Sequence, residues 1–201
     1  MSKKHPISFF SELCDENLGS VAVRLLDIRY ETLRELHSRY DDNYVRESAV
    51  FGRSRNMLIE MARDSKYPWM SLGHAGMDVT FYIGRVPCRF FRDDPDNPEK
   101  PGFFKRNAVD DLFGFDENIP VMWRFVIEKA MTDEDEDQVH FFGYNAFQEK
   151  ISVWTYSGAA AVLHAVDQDV PKAADIPQAN VDVREDMAED QDTDRKAGNN
   201  E

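Results

Sequence analysis

The sequence predicts an α+β protein: an N-terminal helical hairpin packed on an antiparallel sheet of about five strands, followed by a disordered acidic C-terminal tail. Three observations carry that prediction. Apolar residues recur at helical spacing through residues 1–66. Eighteen of the 24 aromatics lie between Tyr67 and Tyr156, where apolar and polar residues alternate at strand period. From Ala165 onward the chain holds no aromatic at all. Helices segregated from strands along the chain point to α+β rather than to repeated βαβ units.

The first helix is expected over Leu18 to Tyr40. At 100° per residue, Leu18, Ala22, Leu25, Leu26, Leu33 and Leu36 share one face, opposite Arg24, Asp27, Glu31, Arg34, Glu35 and Ser38. Asp41, Asp42 and Asn43 supply turn and N-cap chemistry. A second helix, from about Tyr44 to Ala62, aligns Tyr44, Phe51, Leu58 and Ala62, with Gly52 weakening it. Two such helices joined by a short turn form an αα-hairpin.

Beyond Lys66 the period changes. Met77, Val79, Phe81 and Ile83 alternate with Asp78, Thr80 and Tyr82; after Gly84-Arg85, Val86, Cys88 and Phe90 alternate with Pro87, Arg89 and Phe91. Glycine at the first position of a two-residue turn suits a type II′ hairpin. The register then pairs Ile83 with Val86 and Tyr82 with Pro87, and the proline suggests a sheet edge. Asp93 to Gly102, with three prolines, reads as a loop. A short helix is expected from Asn107 through Phe113. A three-stranded meander follows over Val121–Lys129, Val139–Tyr144 and Lys150–Tyr156, separated by the acidic turn 132–137 and by Asn145–Glu149. Ala159–Val166 reads as a brief closing helix. One folded domain, 1–164, is therefore expected, helical over 1–66 and β-rich over 67–158, with the tail at 165–201.

The tail carries eleven acids against four bases, a balance of −7, half of the chain's net −14. Without aromatics it cannot bury enough apolar surface to offset its ordering entropy. The body is then only mildly acidic. This balance disfavours a generic nucleic-acid binder, whose phosphate contacts need Lys and Arg, and an anionic-membrane binder. No apolar run approaches the ~18 residues of a membrane span. The start, MSKKHPISFF, shows no secretory pattern. The two cysteines, Cys14 and Cys88, read as free thiols, so a cytoplasmic location is expected.

Several residues are candidates for chemistry. Arg29 falls in the middle of the first helix's apolar face. A buried guanidinium must be paired, so it either anchors a carboxylate or phosphate ligand or meets an acid of its own domain. Asp78, Arg89 and Arg92 converge on the hairpin, either as a charged binding patch or as a cross-strand ion pair. An enzymatic alternative is a metal-dependent nuclease or hydrolase that brings together Asp78, Glu128 and Lys150. A nucleic-acid-binding alternative rests on Arg53, Arg55, Arg63 and Lys66. The five histidines have no metal-ligand spacing. No GxSxG elbow or phosphate-cradling glycine loop occurs, so no metal or cofactor is assigned.

The second face of the meander is not plainly polar. Val121, Trp123, Phe125, Ile127, Val139, Phe141, Ile151 and Val153 suffice for a core. The other face is read as Met122, Val126, Phe142, Trp154 and Tyr156, mixed with Arg124, Glu128 and His140, and joined by Tyr82 and Phe91 from the hairpin. A wet face should look more polar. Either the chain covers it or a partner does. The function that fits is a non-catalytic protein-interaction or regulatory domain, its partner another protein, with the tail available to a basic partner.

Overall fold

The computed structural model describes residues 3–106, 117–130 and 135–156, and every structural statement below concerns those residues. The expected helices at 107–113 and 159–166, the first half of the acidic turn at 132–137, and the tail lie outside them. The chain divides into two units, Met1–Gly158 and Ala159–Glu201; the fold is that of the first.

Two helices, α1 (Asp15–Glu35) and α2 (Asn43–Met61), precede six strands: β1 (Met70–His74), β2 (Thr80–Ile83), β3 (Val86–Arg92), β4 (Met122–Glu128), β5 (Gln138–Tyr144) and β6 (Lys150–Thr155). The strands lie side by side in chain order. The α+β class therefore holds, with six strands where about five were expected. The extra strand is β1. Its five residues include Gly73, and a bulge between Leu72 and His74 interrupts the pairing with β2, so no clean alternation marks it.

α1 begins earlier than its periodicity suggested and stops at Glu35. Acidic Asp15 and Glu16 fill its first turn, where they favour the helix dipole. Its end comes before Tyr40 because the polar run competes for the backbone. The Ser38 N–H donates to the Asp41 carboxylate at 2.7 Å, and the Val45 N–H donates to Asp42, the cap of α2, at 2.8 Å. Those Ser38 bonds also hold the Asp41 carboxyl below its usual pKa. α2 buries Val50, Ser54, Met57, Leu58 and Met61. Tyr44, expected on its buried stripe, is 78% exposed.

The hairpin closes as read. Ile83 pairs with Val86 and Tyr82 with Pro87, and Gly84 takes the positive φ (+58°) that a type II′ turn needs at its first residue. The sheet-edge inference from Pro87 does not hold, because β3 is an interior strand. β3 runs parallel to β4, from Cys88 opposite Trp123 to Arg92 opposite Ile127. That ladder starts one residue after Pro87, so the missing N–H leaves no bond unmade on that side. All other neighbours are antiparallel.

One sheet face packs on the helices. Phe81, Cys88, Phe90, Trp123, Phe125, Ile127, Val139, Phe141 and Trp154 meet Leu18, Val21, Leu25, Met57 and Leu58. Trp123 stacks on Phe141 at 5.3 Å, and Phe9 and Phe10 strike its ring edge-on. The Trp154 indole donates to Asp15 at 2.7 Å, pinning the start of α1 to β6. Lys4 bridges to Ser152 and covers the outer edge of β6.

The opposite face is covered from within the chain. The connection between β3 and β4 lays Phe103 and Phe104 over it, against Phe91, Met122, Val126, Phe142 and Tyr144. Arg124, 1% exposed, fastens this segment by donating to the carbonyls of Phe103 (2.9 Å) and Lys105 (3.4 Å).

Two glycines separate packing from propensity. A Cβ at Gly143 would lie 2.8–2.9 Å from Trp123, Pro120 and Ser152, whereas one at Gly52 meets nothing within 4 Å. Gly143→Ala is expected to destabilise the fold by about 1–3 kcal/mol. Gly52→Ala is expected to stabilise it by about 0.5–1 kcal/mol through helix propensity. Urea-unfolding midpoints of the two variants check both signs.

Candidate functional site

A cleft of about 1190 Å³ opens at the C-terminal end of β3. α2 forms one wall with Tyr44, Glu47 and Phe51, and the turn before β2 adds Met77 and Asp78. β3 supplies Arg89 to Arg92, and the crossover segment closes the far side with Lys100, Pro101, Gly102 and Lys105.

Each wall is held locally. The Arg55 guanidinium donates to the carbonyls of Ala75 and Gly76 at 2.6–3.1 Å, fixing the turn that presents Met77 and Asp78. Phe51 stacks on Phe90 at 5.5 Å, setting α2 against β3. Arg89 is 7% exposed. Its guanidinium lies over the Phe91 ring, donates to the Gly102 carbonyl at 3.3 Å and sits 3.9 Å from Asp78. It therefore ties the strand to the crossover segment.

Behind the cleft lies a buried charge network. Arg29 is 1% exposed, ion-paired with Asp137 and, at 3.1 Å, with Glu47. The second oxygen of Asp137 accepts the Ala130 N–H. Glu47 also lies 3.2 Å from Arg92. Burial lowers the proton affinity of the Arg29 guanidinium, but Asp137 and Glu47 outweigh it, so its pKa lies above the ordinary arginine value. Of the two roles open to Arg29, the structure shows the internal one. Its charge joins α1, α2 and the turn before β5.

The cleft's charge is uneven. Arg89 and Arg92 face one carboxylate each, and Glu47 is shared with Arg29. Lys100 and Lys105 are exposed and make no ion pair among the described residues. In the same cleft, Tyr44 and Met77 stand 78% and 74% exposed. The site thus offers positive charge and exposed apolar side chains in one cleft.

Sequence reading brought Asp78, Arg89 and Arg92 together, and all three line this cleft, joined by Phe91, which was expected on the aromatic face of the meander. The aromatic face it described is not a free surface. Phe142 is buried under the crossover segment, so it is not available to a partner. Trp154 and half-buried Tyr156 pack with the helix-side core instead. The register explains this: Phe141 pairs with Trp154 and Phe142 with Val153, so Trp154 shares the helix face and Val153 the other, the reverse of the expectation. Tyr82 is half-buried, its ring beside Gly73.

The nuclease set does not converge. Glu128 pairs with Gln138 at one end of β5 and Lys150 with Tyr144 at the other, about 20 Å apart at strand rise. Glu128 instead meets His140 at 2.8 Å, whose other ring nitrogen lies 2.9 Å from the Thr155 hydroxyl. No group of three His, Cys, Asp or Glu side chains among the described residues is placed to hold a metal. Of the basic set on α2 and beyond, Arg53 pairs with Glu35 and Arg55 is held by the 75–76 turn, leaving Arg63 and Lys66 exposed.

No protein-family model, curated protein or solved structure matches this chain. No described helix is long and apolar enough to cross a membrane. Sequence reading missed Lys100, Lys105, Tyr44 and Met77 as site residues. Their only signal was charge in a proline-rich loop and an apolar residue beside a turn. Arg124 did carry a signal, the one that marked Arg29: a guanidinium inside an apolar pattern.

Arg29→Met removes the cation and leaves Glu47 and Asp137 facing each other. A loss of about 3–5 kcal/mol is expected by urea unfolding, against at most about 1 kcal/mol for a solvent-exposed pair.

Proposed function

We propose that this is a non-catalytic interaction domain whose cleft holds an acidic segment of a partner protein, one with apolar side chains among its carboxylates. The observation that carries this reading is that Lys100 and Lys105, which make no ion pair among the described residues, line one cleft with Arg89, Arg92 and the exposed Tyr44 and Met77. Arginine and aromatic side chains are the residue types that anchor protein interfaces. The cleft's volume exceeds the ~300–1,000 Å³ range of small-molecule pockets, which favours an extended chain segment over a metabolite. On a body with a negative balance, a local positive site also steers an acidic partner toward one place.

The carboxylates of the segment would meet Lys100 and Lys105 at the rim, and an apolar side chain would enter between Tyr44 and Met77. The acidic stretch at 165–201 is a separate charged feature of the sequence, available to a basic partner. Removing it tests that role independently of the cleft.

A peptide array probed with the full chain addresses the cleft directly. Enrichment for peptides that combine Asp or Glu with Phe, Leu or Met is expected. Binding should weaken as salt rises. Lys100→Glu with Lys105→Glu should weaken it at least about tenfold, and Tyr44→Ala several-fold. Basic or neutral peptides captured as well as acidic ones, an oligonucleotide outcompeting them, or indifference to the charge reversals would overturn the proposal.

A further inference from the structure

A second, separate cavity of about 460 Å³ lies where the crossover loop meets the turn between β5 and β6. Lys3, Lys150, Tyr144, Gln148, Asn97 and Asp96 are among the residues that line it. We infer that this cavity is a binding site for a small oxyanion, a carboxylate or a phosphate group, held between Lys3 and Lys150 with the Tyr144 hydroxyl as a further donor.

Tyr144 is the first support. It is 2% exposed, and its ring is boxed edge-on by Phe103, Phe104 and Phe142. Its hydroxyl is buried and has no hydrogen-bond partner among the described residues. Buried polar groups are rarely left so, and each such case calls for a reason. Burial raises the phenol's pKa, so the group keeps its proton at neutral pH and can donate.

Lys150 is the second. Its side chain is 14% exposed, and its ammonium sits 4.1 Å from the centre of the Phe142 ring. It donates to the Pro95 carbonyl and reaches Asp96 at 3.4 Å, which leaves one of its three N–H donors without an acceptor among the described residues. Burial lowers its pKa; Asp96 opposes this, and the charge of Lys3 adds to it. Two ammonium groups that repel each other, one of them desolvated, are both stabilised by an anion between them. Asp96, the carboxylate among these residues, is 93% exposed, and Lys3 is also exposed, so Lys150 is the least exposed charge of the site.

Gln148 is the third. It is the one described non-glycine residue with positive φ, +67°. Such strain persists where the surroundings impose it and is concentrated at binding sites. Here Asn145 imposes it. Fully buried, Asn145 accepts the Phe147 and Glu149 N–H groups at 3.0 and 2.9 Å and donates to Glu149 and to the Glu117 carbonyl. The turn places Gln148 in the wall of the cavity. The volume lies within the ~300–1,000 Å³ typical of small-ligand sites.

The test is an NMR titration of the ¹⁵N-labelled full chain with sodium phosphate and, separately, sodium succinate, against sodium chloride at matched ionic strength. Saturable shifts at Tyr144, Gln148 and Lys150 are expected with at least one of the two, and the tighter one identifies the headgroup. Lys150→Met should weaken that affinity at least about tenfold, and Tyr144→Phe about threefold or more. Tyr144→Phe removes one buried oxygen that has no partner among the described residues, so its melting temperature should be unchanged or raised, which separates lost binding from lost folding. Shifts that chloride reproduces, no saturation with either salt, or affinities that neither variant alters would overturn the inference.

Discussion

The rest of the structure depends on the parallel pairing of β3 with β4. Antiparallel neighbours need only a tight turn, but parallel ones require the chain to cross back over the sheet. Here the crossing segment leaves β3 at Asp93 and re-enters at Val121, and its described part lies on the face that the helices do not cover. An aromatic face that would otherwise be exposed becomes a second core. Both concavities also follow from this crossing. Lys100 and Lys105 wall the large cleft, while Asp96, Asn97 and Phe104 wall the small one.

Three arginines convert this path into a fixed surface. Arg124 holds the crossover to β4 through backbone carbonyls, and Arg89 holds it to β3 through Gly102. Neither bond depends on which side chains the crossover carries. Arg29 works at longer range: its partners Glu47 and Asp137 come from α2 and from the turn before β5, so one guanidinium sets the helical hairpin against the sheet. Burying these groups costs several kcal/mol each unless they are fully bonded. A well-paired arginine therefore stabilises one arrangement of the elements over its alternatives.

Much of the fold was legible because it rests on local pattern. The helical hairpin, the type II′ turn at Gly84-Arg85 and the three meander strands follow from periodicity and turn chemistry within a few residues. What was not legible rests on distant pairing. Pro87 suggested an edge because nothing in its neighbourhood reveals a partner strand beginning at Trp123. β1 was hidden by Gly73 and its bulge. Trp154 went to the wrong face because the β5–β6 register shifts between Gly143 and Tyr144, and a one-residue slip reverses every side chain beyond it. Half of the candidate site was likewise local. Asp78, Arg89, Phe91 and Arg92 share one hairpin, whereas Tyr44, Lys100 and Lys105 join them only through the tertiary fold.

Because the crossover's course follows from the β3–β4 pairing, that pairing is the claim to measure. Interstrand backbone NOEs on the isotopically labelled full chain report it without altering a residue. The account predicts amide-to-Hα contacts in the parallel pattern, linking Arg89–Phe91 with Arg124–Val126. Antiparallel contacts between these strands, or none, would contradict it and remove the basis for both the covered face and the cleft.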